Sequence, residues 1–275
     1  MKITIFNVDQ YREILKKFHN ELQSGITYLI FSESFETDML TEAERHFLYS
    51  NKNIFNNEVV IAKLAQGKNT ELTILYSIFK DYSIEGNKYI ALNKNISIDI
   101  ADKLSYESNE EVLCNLLKNN NVNYETKNKI LSNLILILKD KYYKKLTTYS
   151  YFKDLSDALN KIYDIVLIER EDYHDELISQ LFLLSPYRVL ESTLGYYKIK
   201  SEDILQIYNL YDINHGSYKP YEFHQRVLEH MNCPEELKYE IFKNRKEYLY
   251  NHVYNHKQYN KYKPVLSLFN RFFRN

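Results

Sequence analysis

The sequence is poor in glycine, and its few glycines are scattered. The 275-residue chain has five glycines, and no two of them lie close together. A dinucleotide-binding fingerprint or a phosphate-binding loop needs two or three glycines within about six residues, because the backbone must approach a phosphate closely. The nucleophile elbow of α/β-hydrolases needs a glycine two residues on either side of its serine. The sequence therefore excludes Rossmann enzymes, P-loop NTPases and α/β-hydrolases.

Cysteines and long apolar runs are also scarce. The two cysteines, Cys114 and Cys233, lie far apart, which favours neither a disulfide framework nor a thiolate metal site. The first residues are too polar for a secretory signal. The longest apolar run, residues 134–138, is much shorter than the roughly 20 residues of a membrane-spanning helix. We therefore expect a cytoplasmic protein with no membrane segment and no cofactor.

Helical spacing dominates what is present. Hydrophobic residues make up 44% of the chain and charged residues 27%, which is typical of a globular protein. Apolar residues recur at intervals of three and four, and Asn-rich turns separate the helical segments. The predicted fold is all-α, an α-solenoid of short stacked helices, with a short strand near residues 26–31. The predicted helices span residues 9–23, 41–50, 58–66, 71–80, 88–93, 98–105, 109–118, 124–138, 151–167, 172–184, 186–194, 202–211, 220–230, 234–254 and 264–273.

Three sequence patterns mark helix starts. Thr41 with Glu44, and Ser108 with Glu111, have the spacing of a capping box, which satisfies two backbone donors. Ser185 precedes Pro186, and this pair predicts an N-cap followed by proline in the first helical turn.

A short motif recurs in the first half of the chain. Residues 91–95 (Ala-Leu-Asn-Lys-Asn) are followed by residues 116–119 (Leu-Leu-Lys-Asn) at a period near 24, and residues 232–237 contain a related Pro-Glu-x-Leu fragment. Over about residues 57–138, with the fragment near 232–243, the chain resembles leucine-rich variant repeats, which are HEAT-like helical repeats. The resemblance implies stacked helix pairs with a curved exposed face that binds other molecules. The cysteine-rich iron–sulfur segment of that family is absent, so the resemblance implies no cluster here.

No linker-like segment divides the chain. We therefore predict a single helical-repeat domain over residues 1–275. It would consist of an N-terminal cap over residues 1–56, repeats over residues 57–242, and basic, aromatic C-terminal helices over residues 243–275.

Two charged regions are candidate binding surfaces. Residues 243–275 carry a net charge of +7, with interleaved aromatic residues, whereas the remainder of the chain carries −8. Basic and aromatic residues together are typical of nucleic-acid binding, and the basic residues are Lys243, Arg245, Lys246, Lys257, Lys261, Lys263, Arg271 and Arg274. The second region is an acidic set that we expect to face a basic protein partner. Its members are Asp164, Glu169, Glu171, Asp172, Asp175 and Glu176. The alternative for the basic region is a last helix pair with buried aromatic residues and solvated lysines. The alternative for the acidic set is a group of acids at helix starts that complement the helix dipole.

Two histidine patterns are weak metal candidates. His252 and His256 are four residues apart, on one face of a predicted helix. His174-Asp175 is similar to the metal-binding pair of all-helical phosphohydrolases, with His46 and Asp203 as the other ligands that can be nominated. Surface histidines explain the first pattern more simply, and the second lacks the apolar helix that usually precedes such a pair, so we predict no metal.

The sequence thus favours a non-catalytic helical-repeat protein that binds a protein partner. Within this class the uneven charge and the composition of an AT-rich genome favour a bacterial toxin-neutralising immunity protein or a similar inhibitor, whose partner is a basic toxin or nuclease. The alternatives are a nucleic-acid-binding protein that uses the basic C-terminal region, and a metal-dependent phosphohydrolase.

Overall fold

The computed structural model describes residues 2–23, 28–32, 34–52, 57–81, 84–143, 149–215 and 221–241. Helices dominate these residues, which confirms the all-α prediction. Two short strands are β1 (Lys2–Ile5) and β2 (Tyr28–Phe31). The helices are α1 (Val8–Gln23), α2 (Glu42–Ser50), α3 (Asn57–Gln66), α4 (Leu72–Lys80), α5 (Ile84–Leu92), α6 (Ile98–Leu104), α7 (Glu110–Leu117), α8 (Tyr124–Tyr143), α9 (Tyr149–Val166), α10 (Asp175–Leu184), α11 (Tyr187–Thr193), α12 (Ser201–His215) and α13 (Tyr221–Glu229), and residues 235–241 are also helical.

The chain forms two compact units, Met1–Ile137 and Leu138–Asn275. The boundary between them falls within α8, where the composition gives no sign of a linker. The division into a cap, repeats and C-terminal helices within one domain stays a prediction. Among the described residues, no helix has the length and apolar character needed to cross a membrane.

The first unit begins with a small parallel sheet. The short strand expected near residues 26–31 is confirmed as β2, which pairs with β1 so that Ile5 lies opposite Phe31. The sequence did not predict β1. The sheet packs on α1 through an aromatic cluster in which the Tyr11 ring lies 5.8 Å from Phe31 and 6.0 Å from Phe35.

Buried asparagine side chains fasten each repeat of the first unit to the one before it. The Asn93 carboxamide nitrogen donates to the carbonyls of Ala65 and Gly67 at 2.5 and 2.9 Å. The equivalent nitrogen of Asn119 donates to Ala91 and Asn93, at 2.9 Å in both cases. Both the donors and their acceptors are 26 residues apart. The period near 24 expected from the sequence is therefore wrong for these turns. Residues 91–95 correspond to residues 117–121, and not to residues 116–119.

The first repeat of this series is closed differently. Gly67 occupies the position of the clamping asparagines, and a Cβ there would lie 2.6 Å from the Thr37 hydroxyl oxygen. That hydroxyl donates to the Lys63 carbonyl at 2.9 Å, and the Asp38 carboxylate accepts from the Asn69 backbone N–H at 3.0 Å. The short 3-10 turn Thr37–Met39 therefore supplies the polar contacts that a preceding repeat supplies elsewhere.

The second unit repeats this arrangement with a histidine. The Nε2 atom of His230 lies 3.1 Å from the Tyr196 carbonyl, and its Nδ1 accepts from the Asn232 backbone N–H at 3.2 Å. The Asn232 side chain donates to the Ile199 carbonyl at 2.7 Å. His230 thus fastens one turn to the preceding turn, as Asn93 does in the first unit.

One predicted capping box is confirmed and the other is wrong. The Glu44 backbone N–H donates to the Thr41 hydroxyl at 3.3 Å, and the Thr41 N–H donates to the Glu44 carboxylate at 2.8 Å. At α7 the N-cap is Asn109 and not Ser108, because the Asn109 side chain accepts from the Glu111 N–H at 3.0 Å.

The expected N-cap at Ser185 is also wrong. Pro186 is the residue that precedes α11, and its ring provides no side-chain cap. The Ser185 hydroxyl instead donates to the Leu181 carbonyl at 2.8 Å and lies 2.7 Å from the hydroxyl of the buried Tyr163. Buried hydroxyls are generally hydrogen-bonded. The Ser185 hydroxyl therefore bonds these buried partners and does not cap α11.

Candidate protein-binding surfaces

The acidic set predicted from the sequence lies where α9 meets α10 in the second unit. Asp164 is on α9, Glu169, Glu171 and Asp172 belong to the 3-10 turn at residues 170–172 or precede it, and Asp175 and Glu176 form the first turn of α10. Four of them, Asp164, Glu171, Asp175 and Glu176, are exposed, and the other two are half-buried. All six acids therefore lie between the last turns of α9 and the first turn of α10.

Arg170, a basic residue that lies among these acids in the sequence, is buried. It is only 1% exposed. Its Nε donates to one Asp203 carboxylate oxygen at 2.8 Å and its Nη2 to the other at 2.9 Å, which is a bidentate pair. Nη2 also donates to Asp175 at 2.7 Å, and Nη1 to the Tyr173 carbonyl at 3.3 Å. The guanidinium thus fastens the acidic turn to the start of α12.

Burial and pairing act in opposite directions on this cluster. Burial disfavours the charged form of Arg170, but its bonds to Asp203 and Asp175 outweigh that effect and raise its pKa. The pKa of Asp175 is lowered, first by the Lys200 ammonium at 2.7 Å and then by Arg170. Lys200 also donates its backbone N–H to Asp203 at 3.2 Å. The pairing of Arg170 with Asp175 therefore favours the charged form of both side chains.

Asp164 and Tyr196 form a second link at this surface. The Tyr196 hydroxyl donates to the Asp164 carboxylate. Burial and the adjacent carboxylate both raise the pKa of Tyr196, so that the hydroxyl keeps its proton and remains a donor. Among the exposed acids, Asp164 and Asp175 are thus held in place by partners, and Glu171 and Glu176 lie beside them.

The residues nominated for a phosphohydrolase site have structural contacts or lie in different units. Asp175 and Asp203 both accept hydrogen bonds from Arg170. His174 is at the N-cap of α10, and His46 belongs to the other unit. In the described part of the chain, no three His, Cys, Asp or Glu side chains are grouped as metal ligands would be.

His230 lines an open cavity of about 390 Å³ in the second unit. The other lining residues include Tyr197, Arg226, Glu229 and Met231. Both ring nitrogens of His230 are occupied by backbone groups, which leaves no lone pair for a metal and no free nitrogen for proton transfer.

The basic C-terminal residues and the histidine pair cannot be placed. Lys243, Arg245, Lys246, Lys257, Lys261, Lys263, Arg271, Arg274, His252 and His256 all lie outside the described residues. Their proposed binding of nucleic acid or metal stays a prediction.

Comparison with protein-family models, with curated proteins and with solved structures finds no match. The resemblance to leucine-rich variant repeats therefore also stays a prediction.

Proposed function

We propose that this chain is a non-catalytic helical-repeat protein that binds a protein partner. Within that class we favour a bacterial, cytoplasmic immunity protein or a similar inhibitor, which neutralises a basic toxin or nuclease. The observation that supports this proposal best is the acidic set of residues 164–176: four of its six acids are exposed, and one of these, Asp175, is bonded to the buried Arg170.

The charge of the acidic set favours a basic partner. Arg170 is covered by protein and pairs with both Asp203 and Asp175. Lys200 also pairs with Asp175, so local cations balance this one acid of the set. Glu171 and Glu176 remain exposed beside them. Surfaces of one sign attract and orient partners of the opposite sign, and this raises the rate of association.

The rigidity of the acidic turn supports binding as well. Arg170 contacts the 3-10 turn, α10 and α12 through Tyr173, Asp175 and Asp203. A turn held in this way loses little conformational entropy when a partner binds, which leaves more of the contact energy for affinity. In the first unit, Asn93 and Asn119 hold successive turns in register in the same manner.

The buried polar groups support a structural over a catalytic interpretation. Asn93, Asn119, Arg170, His230 and Asp203 are each buried. Each of them binds backbone or an oppositely charged side chain of a neighbouring turn or helix. A catalytic acid or base must instead keep a free atom within reach of a substrate.

The test is purification of the tagged chain from its native host, followed by native mass spectrometry. We expect a stoichiometric complex with a basic protein. The double variant Glu171→Lys/Glu176→Lys should lose that partner. The matched control is Glu236→Lys/Glu240→Lys, which changes the same charge at two exposed positions of helical residues 235–241 and should retain it.

Three outcomes would contradict the proposal. The first is the absence of any stoichiometric protein partner, and the second is equal loss of the partner in both double variants. The third is co-purified nucleic acid that depends on the basic residues of the C-terminal region, which would favour the nucleic-acid alternative. Hydrolysis of phosphoesters with added manganese would favour the phosphohydrolase alternative.

A further inference from the structure

Three large apolar side chains occupy the same exposed position in successive repeats of the first unit. Leu72, Ile98 and Tyr124 are the first residues of α4, α6 and α8, and they are 26 residues apart. Their exposed fractions are 46%, 66% and 46%. Single exposed apolar residues are common on protein surfaces. A repeated one, at a fixed position of each repeat, calls for a separate explanation.

The repeats do not need these side chains for their cores. Two residues further along each helix, Ile74, Ile100 and Thr126 are buried and face inward. The side chain at the helix start, in contrast, is exposed in all three repeats. The apolar character of Leu72 and Ile98 is therefore best explained by something outside the fold.

A second set of asparagine bonds joins the turns that precede these three helices. Asn95 donates its carboxamide to the Lys68 carbonyl, and Asn121 donates to the Lys94 carbonyl. Each turn is thus bonded to the turn before it, just ahead of α4, α6 and α8, so the three side chains follow one another from repeat to repeat as a row.

Exposed lysines flank this row. Lys68 and Lys94 precede Leu72 and Ile98 by four residues in the same turns, and both are exposed. Within the described residues neither ammonium forms an ion pair. Their backbone carbonyls are the acceptors of the asparagine bonds, so both lysines project from fixed backbone. We call the row with its lysines the lysine–apolar edge: Lys68, Leu72, Lys94, Ile98 and Tyr124.

The carboxylates near the lysine–apolar edge have other partners. Glu71 binds the guanidinium of Arg45. Asp99 accepts from Lys103 and from the Tyr76 hydroxyl, each at 2.8 Å.

On α8, Glu125 lies 3.5 Å from the Lys129 ammonium. The Lys129 ammonium is shared between Glu125 and Asp102, and the Asp38 carboxylate accepts from the Asn69 N–H beside Lys68. Lys68 and Lys94 are the cations of this edge that form no ion pair among the described residues.

We infer that the lysine–apolar edge is a docking site for an acidic segment of another protein, one that carries large apolar side chains among its carboxylates. Apolar contact with Leu72, Ile98 and Tyr124 would supply affinity, and Lys68 and Lys94 would select the acidic sign. The edge has two lysines, fewer than the four to eight basic residues typical of sites that bind anionic lipids. This site is separate from the acidic set of residues 164–176 and attracts the opposite charge.

The experiment selects peptides from a random phage-displayed library on the immobilised full-length chain. Selected peptides are then synthesised, and their affinities are measured by fluorescence anisotropy at two salt concentrations. We expect them to combine a net negative charge with two or more large apolar residues, and to bind more weakly at high salt. Ile98→Ser and Lys68→Glu/Lys94→Glu should each weaken binding at least about tenfold, equivalent to 1.4 kcal/mol. Thermal melts establish that each variant is folded.

The matched control is Leu136→Ser, which removes an apolar side chain of 60% exposure from α8 outside the edge and should change the affinity less than about twofold. The inference is overturned if no peptide is enriched, if the enriched peptides are basic, or if Ile98→Ser has no more effect than Leu136→Ser. Ile98-dependent binding to phosphatidylglycerol vesicles, without peptide binding, would also overturn it in favour of a lipid surface. Glu171→Lys/Glu176→Lys should leave peptide binding unchanged, which separates this result from the test of the acidic set.

Discussion

Removal of the Asn119 side chain should loosen the attachment of one repeat to the next. Asn119 is 6% exposed and makes three hydrogen bonds with its carboxamide. It donates to the carbonyls of Ala91 and Asn93, both at 2.9 Å, and accepts from the Asn121 backbone N–H at 3.0 Å. Each such bond contributes about 0.5–1.5 kcal/mol net. We therefore expect Asn119→Ala to destabilise the first unit by about 3 kcal/mol.

The assay is thermal unfolding followed by circular dichroism, together with hydrogen exchange to locate the change. A loss of about 3 kcal/mol in a unit of this size lowers the melting temperature by about 10 °C. Exchange should accelerate first in α5 and α7, which the Asn119 turn joins. The control is Asn120→Ala, which makes the same chemical change at an exposed position of the same turn. Melting temperatures of the two variants that agree within about 2 °C would show that the Asn119 carboxamide does not stabilise the fold.

Two further predictions concern ion pairs. Arg170→Met should destabilise the second unit by about 3–5 kcal/mol, because it leaves the buried Asp203 carboxylate without its partner; denaturant unfolding measures the loss. In the first unit, hydrogen bonds from the Arg12 guanidinium lower the pKa of Glu44 from 4.5 to about 2. A lowered carboxyl pKa stabilises the fold fully above pH 4.5, and that contribution is lost as the pH falls through 2. The melting temperature of Arg12→Gln should therefore be lower than that of the wild type at pH 6, and the difference should vanish near pH 2.

Each of these predictions has an internal check. The double variant Arg170→Met/Asp203→Leu should recover most of the stability lost by Arg170→Met, because no unpaired charge remains. Failure to recover would mean that Arg170 contributes mainly through packing. For the acid-side prediction, an Arg12→Gln melting curve that stays parallel to the wild type down to pH 2 would show that the pair does not stabilise the fold.

The helices could be predicted from the sequence because the apolar spacing that forms them is local. The capping box of Thr41 and Glu44 is also local and is confirmed. Ser185 shows where local patterns fail, since its hydroxyl pairs with Tyr163, 22 residues away, and does not cap a helix. Local patterns also fail for Arg170, because the residue that pairs with its charge, Asp203, is 33 residues downstream.

The asparagine clamps could not be distinguished from ordinary turn residues by sequence type. Asn119 is buried and binds the preceding repeat, whereas its neighbour Asn120 is exposed. The signal that was available is spacing: Asn93 and Asn119, like Asn95 and Asn121, are 26 residues apart. The same spacing would have found the exposed apolar row, which composition alone conceals.

Asparagine side chains fasten successive repeats of the first unit to one another. Solution NMR can measure this attachment through the exchange rates of the carboxamide protons of Asn93 and Asn119 with solvent. We predict exchange at least about a hundredfold slower than for Asn120, which corresponds to an opening free energy of about 3 kcal/mol. Exchange of Asn93 and Asn119 as fast as that of Asn120 would contradict the claim.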